Sequence, residues 1–202
     1  METRRCVFVG VGGQGNLLAS RLLGEAALSM GVPVVVSEIH GMAQRGGVVE
    51  SAVLMGNASS PIVSKGEADV MISFEPLETL RTLSKCNRKT IIITNISPVP
   101  PFTASIGQGF YPPLGDILEI LNRKVEMVYA LEGNKIAEKA GNPLSLNMVM
   151  LGALIGSNSL FIDAATLRDT IAKSTKKAFL DSNIKAFDLG MEEINKPACS
   201  LS

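Results

Sequence analysis

Arg4-Arg5-Cys6-Val7-Phe8-Val9-Gly10-Val11-Gly12-Gly13-Gln14-Gly15 is an apolar, β-branched run closed by a glycine-rich turn. Residues Arg4 to Val9 predict a strand, because side chains of this type fit a buried pleated surface. Asn16 to Met30 follows with helical spacing. Leu18, Leu22 and Ala26 share one stripe, Leu23 and Ala27 lie beside it, and Arg21, Glu25 and Ser29 make the polar face. Gly31 and Pro33 end the helix, and Val34-Val35-Val36 opens a second strand. A strand–turn–helix–strand unit predicts parallel pairing of its strands through a right-handed crossover.

The same alternation continues outward. Val48 to Met55 and Ala68 to Phe74 predict strands, joined by a turn-rich stretch containing Pro61. Pro76 suits the first position of a helix bearing Leu77, Leu80 and Leu83, and the Glu75 carboxylate is placed to serve that helix N-terminus. Thr90 to Thr94 predicts a buried strand. Ser97 to Pro113 holds five of the ten prolines and predicts an extended excursion. Leu114 to Leu121 predicts a helix, Val125 to Ala130 a strand, and Asn134 to Ala140 a helix stopped by Gly141. Leu144 to Ile155 is apolar on all sides, with small residues Gly152 and Ala153, so it predicts a buried helix. Two more helices follow at Ala164 to Lys173 and Lys177 to Leu189, the latter with the stripe Leu180, Ile184 and Phe187. The expectation is one three-layer α/β/α domain over residues 1–196, on a mostly parallel or mixed sheet with a Rossmann-like start, and a loose tail at 197–202.

With 202 residues, 46% hydrophobic and 19% charged, the chain can bury a full core and is not disordered. Its 19 basic and 19 acidic residues give no footprint for nucleic acid. No secretory signal opens it, and the stretch Leu144 to Ile155 is too short to span a bilayer, so a cytoplasmic location is expected. Cys6, Cys86 and Cys199 are odd in number and form no C-x-x-C pair, which argues against a disulfide framework or a zinc site and leaves too few thiolates for a four-thiolate iron–sulfur cluster on this chain alone. The mean hydropathy of +0.27 fits a well-buried core, or such a core plus an apolar partner surface that favours self-association when isolated.

Gly10, Gly12 and Gly15 match G-x-G-x-x-G between strand and helix, and Glu38 lies 23 residues beyond Gly15. Two readings stay open. Backbone N–H groups at the helix start suit a phosphate, as in a dinucleotide site. Alternatively the glycines only let strand and helix pack closely. Against the dinucleotide reading, the length leaves little room for a substrate domain, and the single histidine, His40, sits just after the carboxylate.

Gly-Val-Gly-Gly-Gln-Gly at 10–15, followed by Ser-Glu-Ile-His-Gly-Met-Ala-Gln-Arg-Gly-Gly at 37–47, resembles the gamma-type domain of 2-oxoacid:ferredoxin oxidoreductases, within it the indolepyruvate β-subunit type. Stretches 66–78, 141–153 and 183–190 agree in order, so the likeness covers nearly the whole chain. The resemblance implies a fold like domain III of pyruvate:ferredoxin oxidoreductase and a small, cofactor-poor subunit without a catalytic residue or metal of its own. It places thiamine diphosphate, magnesium and iron–sulfur clusters in a large partner subunit. Electrons leave to ferredoxin, and the acyl group leaves on coenzyme A, which the resemblance allows at the subunit interface. The implied substrate is an aryl 2-oxoacid such as indolepyruvate. A gamma subunit for pyruvate, 2-oxoglutarate or 2-oxoisovalerate, and a stand-alone dinucleotide- or coenzyme A-binding module, are the alternatives.

Ligand- or interface-loop candidates are Gly10, Gly12, Gly13, Gln14 and Gly15 in the first loop, Glu38, His40, Gly41, Gln44, Arg45, Gly46 and Gly47 in the second, and Asn147. Arg45 suits bidentate recognition of a phosphate or carboxylate, or a brace to Glu38 or Glu50. His40 suits a proton relay or a bond to loop carbonyls. Glu38 suits bracing of its loop or a partner contact. Gln14 suits a ligand bond or a helix cap. Asn147, polar in an apolar helix, suits a backbone bond or an interface contact.

Overall fold

The computed structural model describes residues 2–40, 48–58, 60–101, 104 and 109–195, with only the backbone of His40. Strands β1 (Arg4–Val11), β2 (Val34–His40), β3 (Val48–Met55), β4 (Ala68–Ser73), β5 (Cys86–Asn95) and β6 (Met127–Leu131) form a single sheet in the order β2-β3-β1-β4-β5-β6. β1, β4, β5 and β6 run parallel, whereas β3 is antiparallel to both β1 and β2. The expected direct pairing of β1 with β2 is therefore corrected. The two strands share a direction, but β3 is inserted between them, with Val11 opposite Val48 and His40 opposite Val49. Nothing local in a β–α–β segment specifies the neighbour, because pairing is fixed by non-local register.

Among the described residues, seven helices cover the two faces: α1 (Asn16–Ser29), α2 (Pro76–Thr82), α3 (Leu114–Lys124), α4 (Gly133–Ala140), α5 (Leu146–Gly156), α6 (Ala164–Ser174) and α7 (Leu180–Ile194). Strand alternation divides the core accordingly. Cys6, Phe8, Val53, Val70, Ile72 and Ile93 face the side covered by α1 and α4 to α7. Val7, Val9, Ala52, Leu54, Met71 and Ile92 face α2 and α3. This is the expected three-layer α/β/α architecture.

Boundaries differ from expectation where tertiary contacts decide them. Gly10 and Val11 belong to β1 rather than to the turn, since both pair with β3. Leu18 is 42% exposed, because α1 buries Ala19, Leu22, Leu23, Ala26 and Ala27 and leaves Leu18 on the flank of its first turn. Leu144 is also exposed, in a 3-10 turn (Pro143–Ser145) ahead of α5. The loose tail expected at 197–202 lies outside the described residues.

α5 is buried along its whole length, as its composition predicts, and it crosses α7 at backbone distance. A Cβ on Gly152 would stand 1.9 Å from the Phe187 carbonyl oxygen, and one on Gly190 would stand 2.1 Å from that of Val149. The apolar stripe of α7 reaches the core only because both helices carry glycine at the crossing.

Candidate functional site

Parallel strands end together, so β1, β4, β5 and β6 deliver their C-termini to one edge of the sheet, the usual ligand face of an open α/β fold. The first loop sits there and packs largely on itself. Gln14 turns inward: its Oε1 accepts from Val11 N at 2.8 Å, and its Nε2 donates to the Phe74 carbonyl at 2.9 Å. A Cβ on Gly10 would meet Gln14 Oε1 at 2.8 Å and Phe74 Cβ at 2.9 Å. Gly10 is thus filled by the protein's own side chains. Gly12 and Gly13 form the exposed tip, and Gly13 has open space around it. Gly15 is the N-cap of α1 at φ 79°, with no side-chain cap to that helix.

The Phe74 carbonyl also accepts from Asn95 Nδ2 at 2.9 Å. Asn95, fully buried at the end of β5, donates as well to Asn134 Oδ1 at 3.0 Å, and its Oδ1 accepts from Gly133 N at 3.0 Å, which caps α4. One side chain therefore joins the ends of β4 and β5 to α4. Glu75, 1% exposed, accepts from Glu78 N at 3.0 Å, Val99 N at 3.1 Å and Tyr111 Oη at 2.5 Å. It caps α2 as expected, and it also pins both ends of the proline-rich excursion. Burial, then the bond to Glu75, pushes the Tyr111 phenol well above its ordinary range, so it remains the donor. The roles of Asn95 and Tyr111 were not anticipated. The sequence signal for Asn95 is a polar residue closing the apolar run Ile91-Ile92-Ile93; Tyr111 carries none beyond its place among prolines.

Asn147, 6% exposed, is the second residue of α5 and abuts the first loop: a Cβ on Gly15 would lie 2.8 Å from its Nδ2. Glu38 is exposed on β2, opposite Ser51. The inserted β3 puts that strand two spacings from β1, roughly 10 Å away, whereas a dinucleotide ribose needs its carboxylate on the adjacent strand. Of the second loop, Gly41, Gln44, Arg45, Gly46 and Gly47 and the His40 side chain lie outside the described residues. Its flanking strand ends reach the same edge, and Asn16 Nδ2 ties α1 to Val49 O at 2.8 Å. The Glu50 carboxylate, one suggested brace for Arg45, pairs with Lys85.

Cys6 and Cys86 do not sit together as ligands of one cluster. Cys6 and Cys86 are buried on opposite faces of the sheet, and among the described residues no three His, Cys, Asp or Glu side chains gather as a ligand set. Burial pushes the Cys86 thiol from 9.0 up to about 11, against the opposing pull of Lys124, and raises that of Cys6 further. Iodoacetamide at pH 8 is expected to leave both unmodified in the folded chain, as peptide mass mapping would show; alkylation of either one contradicts this placement. Because the folded-state value is raised, the stabilising contribution of the neutral Cys86 thiol is complete below pH 9.0 and fades as pH climbs toward about 11. No helix among the described residues is long and apolar enough to cross a membrane.

A mixed six-stranded sheet with this edge is the fold of gamma subunits of oxoacid ferredoxin oxidoreductases. The gamma subunit of a keto/oxoacid ferredoxin oxidoreductase from Geobacter sulfurreducens superposes with TM-score 0.70 at 20% identity, covering 96% of this chain and 99% of that one. The pyruvate oxidoreductase subunit PORC from Thermotoga maritima gives TM-score 0.70 at 20% identity, covering 95% and 97%. The chain belongs to the pyruvate ferredoxin/flavodoxin oxidoreductase family, which matches residues 5–193. It is 40% identical over 178 residues to indolepyruvate oxidoreductase subunit IorB of Methanothermobacter thermautotrophicus, covering 88% of this chain and 91% of the relative. Against 2-oxoglutarate synthase subunit KorC of the same organism, identity falls to 26% over 196 residues, covering 96% and 97%.

Proposed function

We propose that this chain is the small subunit of an aryl 2-oxoacid, indolepyruvate-type, ferredoxin oxidoreductase, working in a complex with a large subunit that carries thiamine diphosphate, magnesium and iron–sulfur clusters. The observation that carries the reading is the end-to-end likeness to subunits named for indolepyruvate, set against the weaker likeness to the 2-oxoglutarate type. The geometry agrees. Gln14, Asn95 and Glu75 spend their bonding capacity inside the protein, so among the described residues the first loop and the ends of β4 and β5 present backbone and apolar side chains. Leu18, Val99, Phe110 and Leu144 are exposed there, as suits a face covered by another subunit.

When bound, thiamine diphosphate supplies carbanion stabilisation at the decarboxylated 2-oxoacid, and the clusters carry electrons to ferredoxin. This chain's part is to close the assembly and position coenzyme A near the junction. A 2-oxoglutarate:ferredoxin oxidoreductase from Magnetococcus marinus with coenzyme A bound contains the same fold, at TM-score 0.72 and 21% identity over 96% of this chain and 31% of that one.

Co-expression with the large subunit tests the reading. The purified complex is expected to reduce ferredoxin with indolepyruvate and coenzyme A, and the large subunit alone is expected to lose most of that rate. Turnover by this chain alone, or full activity without it, would falsify the proposal.

A further inference from the structure

β2 stands at one end of the sheet order, and no strand among the described residues pairs with its outer side. An open edge carries alternate N–H and C=O groups that another strand can match, so proteins usually blunt it with a proline, a lysine or a bulge. β2 has none of these. Val34-Val35-Val36-Ser37-Glu38-Ile39-His40 pairs with β3 over its whole length without a shift in register, and Glu38 is its only carboxylate. The opposite edge differs. β6 is five residues long, with Arg123, Lys124 and Glu126 just before it and Glu132 and Lys135 just after it.

Apolar side chains flank the β2 edge on both faces of the sheet. Val34 and Val36 lie under α1, where a Cβ on Gly24 would stand 3.5 Å and 3.2 Å from them. On that face Val36 is 42% exposed, and Leu28, one helical turn past Gly24, is 57% exposed. On the other face Val35 packs into the core beneath the sheet, and Ser37 Oγ donates to the Pro61 carbonyl at 2.8 Å. There Ile39 is 58% and Ile62 66% exposed. The helices of that face, α2 and α3, pack on β1, β4, β5 and β6.

We propose that β2 is a self-association edge: two copies of this chain pair their β2 strands antiparallel across a two-fold axis, joining two six-stranded sheets into one. A second copy fits because a two-fold contact asks for the same patch on both sides, and this edge matches itself. With α1 of both copies on one face, the register that engages the whole strand is centred on Ser37. It sets Val35 of one copy on Ile39 of the other and Val36 on Glu38, so the two Glu38 carboxylates do not oppose each other. The strand is ~23 Å long and the edge, with its flanking layers, ~20–25 Å thick. Such a contact buries on the order of 1,000 Å² in total, at the lower bound of specific interfaces. The isolated chain is therefore expected to dimerise at micromolar concentration. This inference does not rest on the subunit role.

Sedimentation equilibrium of the full chain over ~5–200 µM reads it. Wild type is expected to approach twice the 21.4 kDa chain mass as concentration rises. Ile39→Lys sets an ammonium against Val35 of the other copy, twice per dimer by symmetry. It is expected to raise the Kd ~30-fold or more, leaving a monomer over most of that range with an unchanged melting curve at low concentration. Should it lower the melting temperature, Ile62→Lys, on the same flank but outside the strand, carries the same test. Met127→Lys, on exposed β6, is expected to leave the dimer intact. A wild-type monomer at every concentration, or a dimer that Ile39→Lys and Ile62→Lys leave intact, would overturn the proposal. So would a wild-type chain that stays monomeric while Ile39→Lys abolishes binding of the large subunit, since the edge would then belong to that partner.

Discussion

Gly152→Ala is expected to lower the melting temperature by roughly 6–12 °C, corresponding to about 3 kcal/mol in a chain of this size. An added Cβ would lie 1.9 Å from the Phe187 carbonyl oxygen, inside any van der Waals limit, and the obstacle is backbone that cannot swing away. The helices must separate, and separation costs burial along all of α5. Gly190→Ala makes the reciprocal clash with the Val149 carbonyl at 2.1 Å. Because one movement apart relieves both collisions, the double variant should lose clearly less than the sum of the singles. Gly115→Ala is the control: it is exposed near the start of α3 with nothing within 4 Å of its Cβ, and it is expected to be neutral or to gain ~0.4–1 kcal/mol. Thermal unfolding of the four variants checks the set, and additive losses in the double variant would sink the shared-crossing account.

What the sequence disclosed and what it withheld divide along the same physical line. Local patterns located the six strands and seven helices named among the described residues, since periodicity, prolines and glycines act within a few residues. Pro76 opens α2, Gly141 closes α4 at φ 100°, and the all-apolar run at α5 is buried on every side. Pairing was not legible: Val48–Met55 reads as a strand in any sheet, and its insertion between β1 and β2 depends on register with residues far along the chain. The site shows the same split. The first loop was visible as glycines, yet whether its turn cradles a ligand or its own Gln14 depends on Phe74, 60 residues away. Asn147 stood out as an odd amide in an apolar helix, but its orientation toward Gly15 is a tertiary fact. Asn95 gave the faintest signal and holds the most, because its partners lie 21, 38 and 39 residues distant.

That concentration makes Asn95→Asp the most damaging polar change at this edge. The wild-type amide is matched atom by atom: two N–H groups meet the Phe74 carbonyl and Asn134 Oδ1, and the oxygen meets Gly133 N. A carboxylate has acceptors only, so it sets an anion against a carbonyl 2.9 Å away in a site with no solvent access. Rotation of Asn134 recovers one bond; the backbone of Phe74 cannot rotate without distorting β4. The expected loss at neutral pH is about 3–5 kcal/mol, the range for an uncompensated buried charge. Its pH dependence separates this cause from lost packing. Burial raises the folded-state pKa of the introduced carboxyl above its unfolded value near ~3.9, so the protonated form is favoured in the fold. The deficit relative to wild type is therefore smallest below that unfolded value and grows as pH rises toward the folded one. Urea unfolding of wild type and Asn95→Asp at several pH values between acid and neutral reads this directly, and a deficit that does not change with pH would show that the buried amide network is not what binds β4, β5 and α4 into one edge.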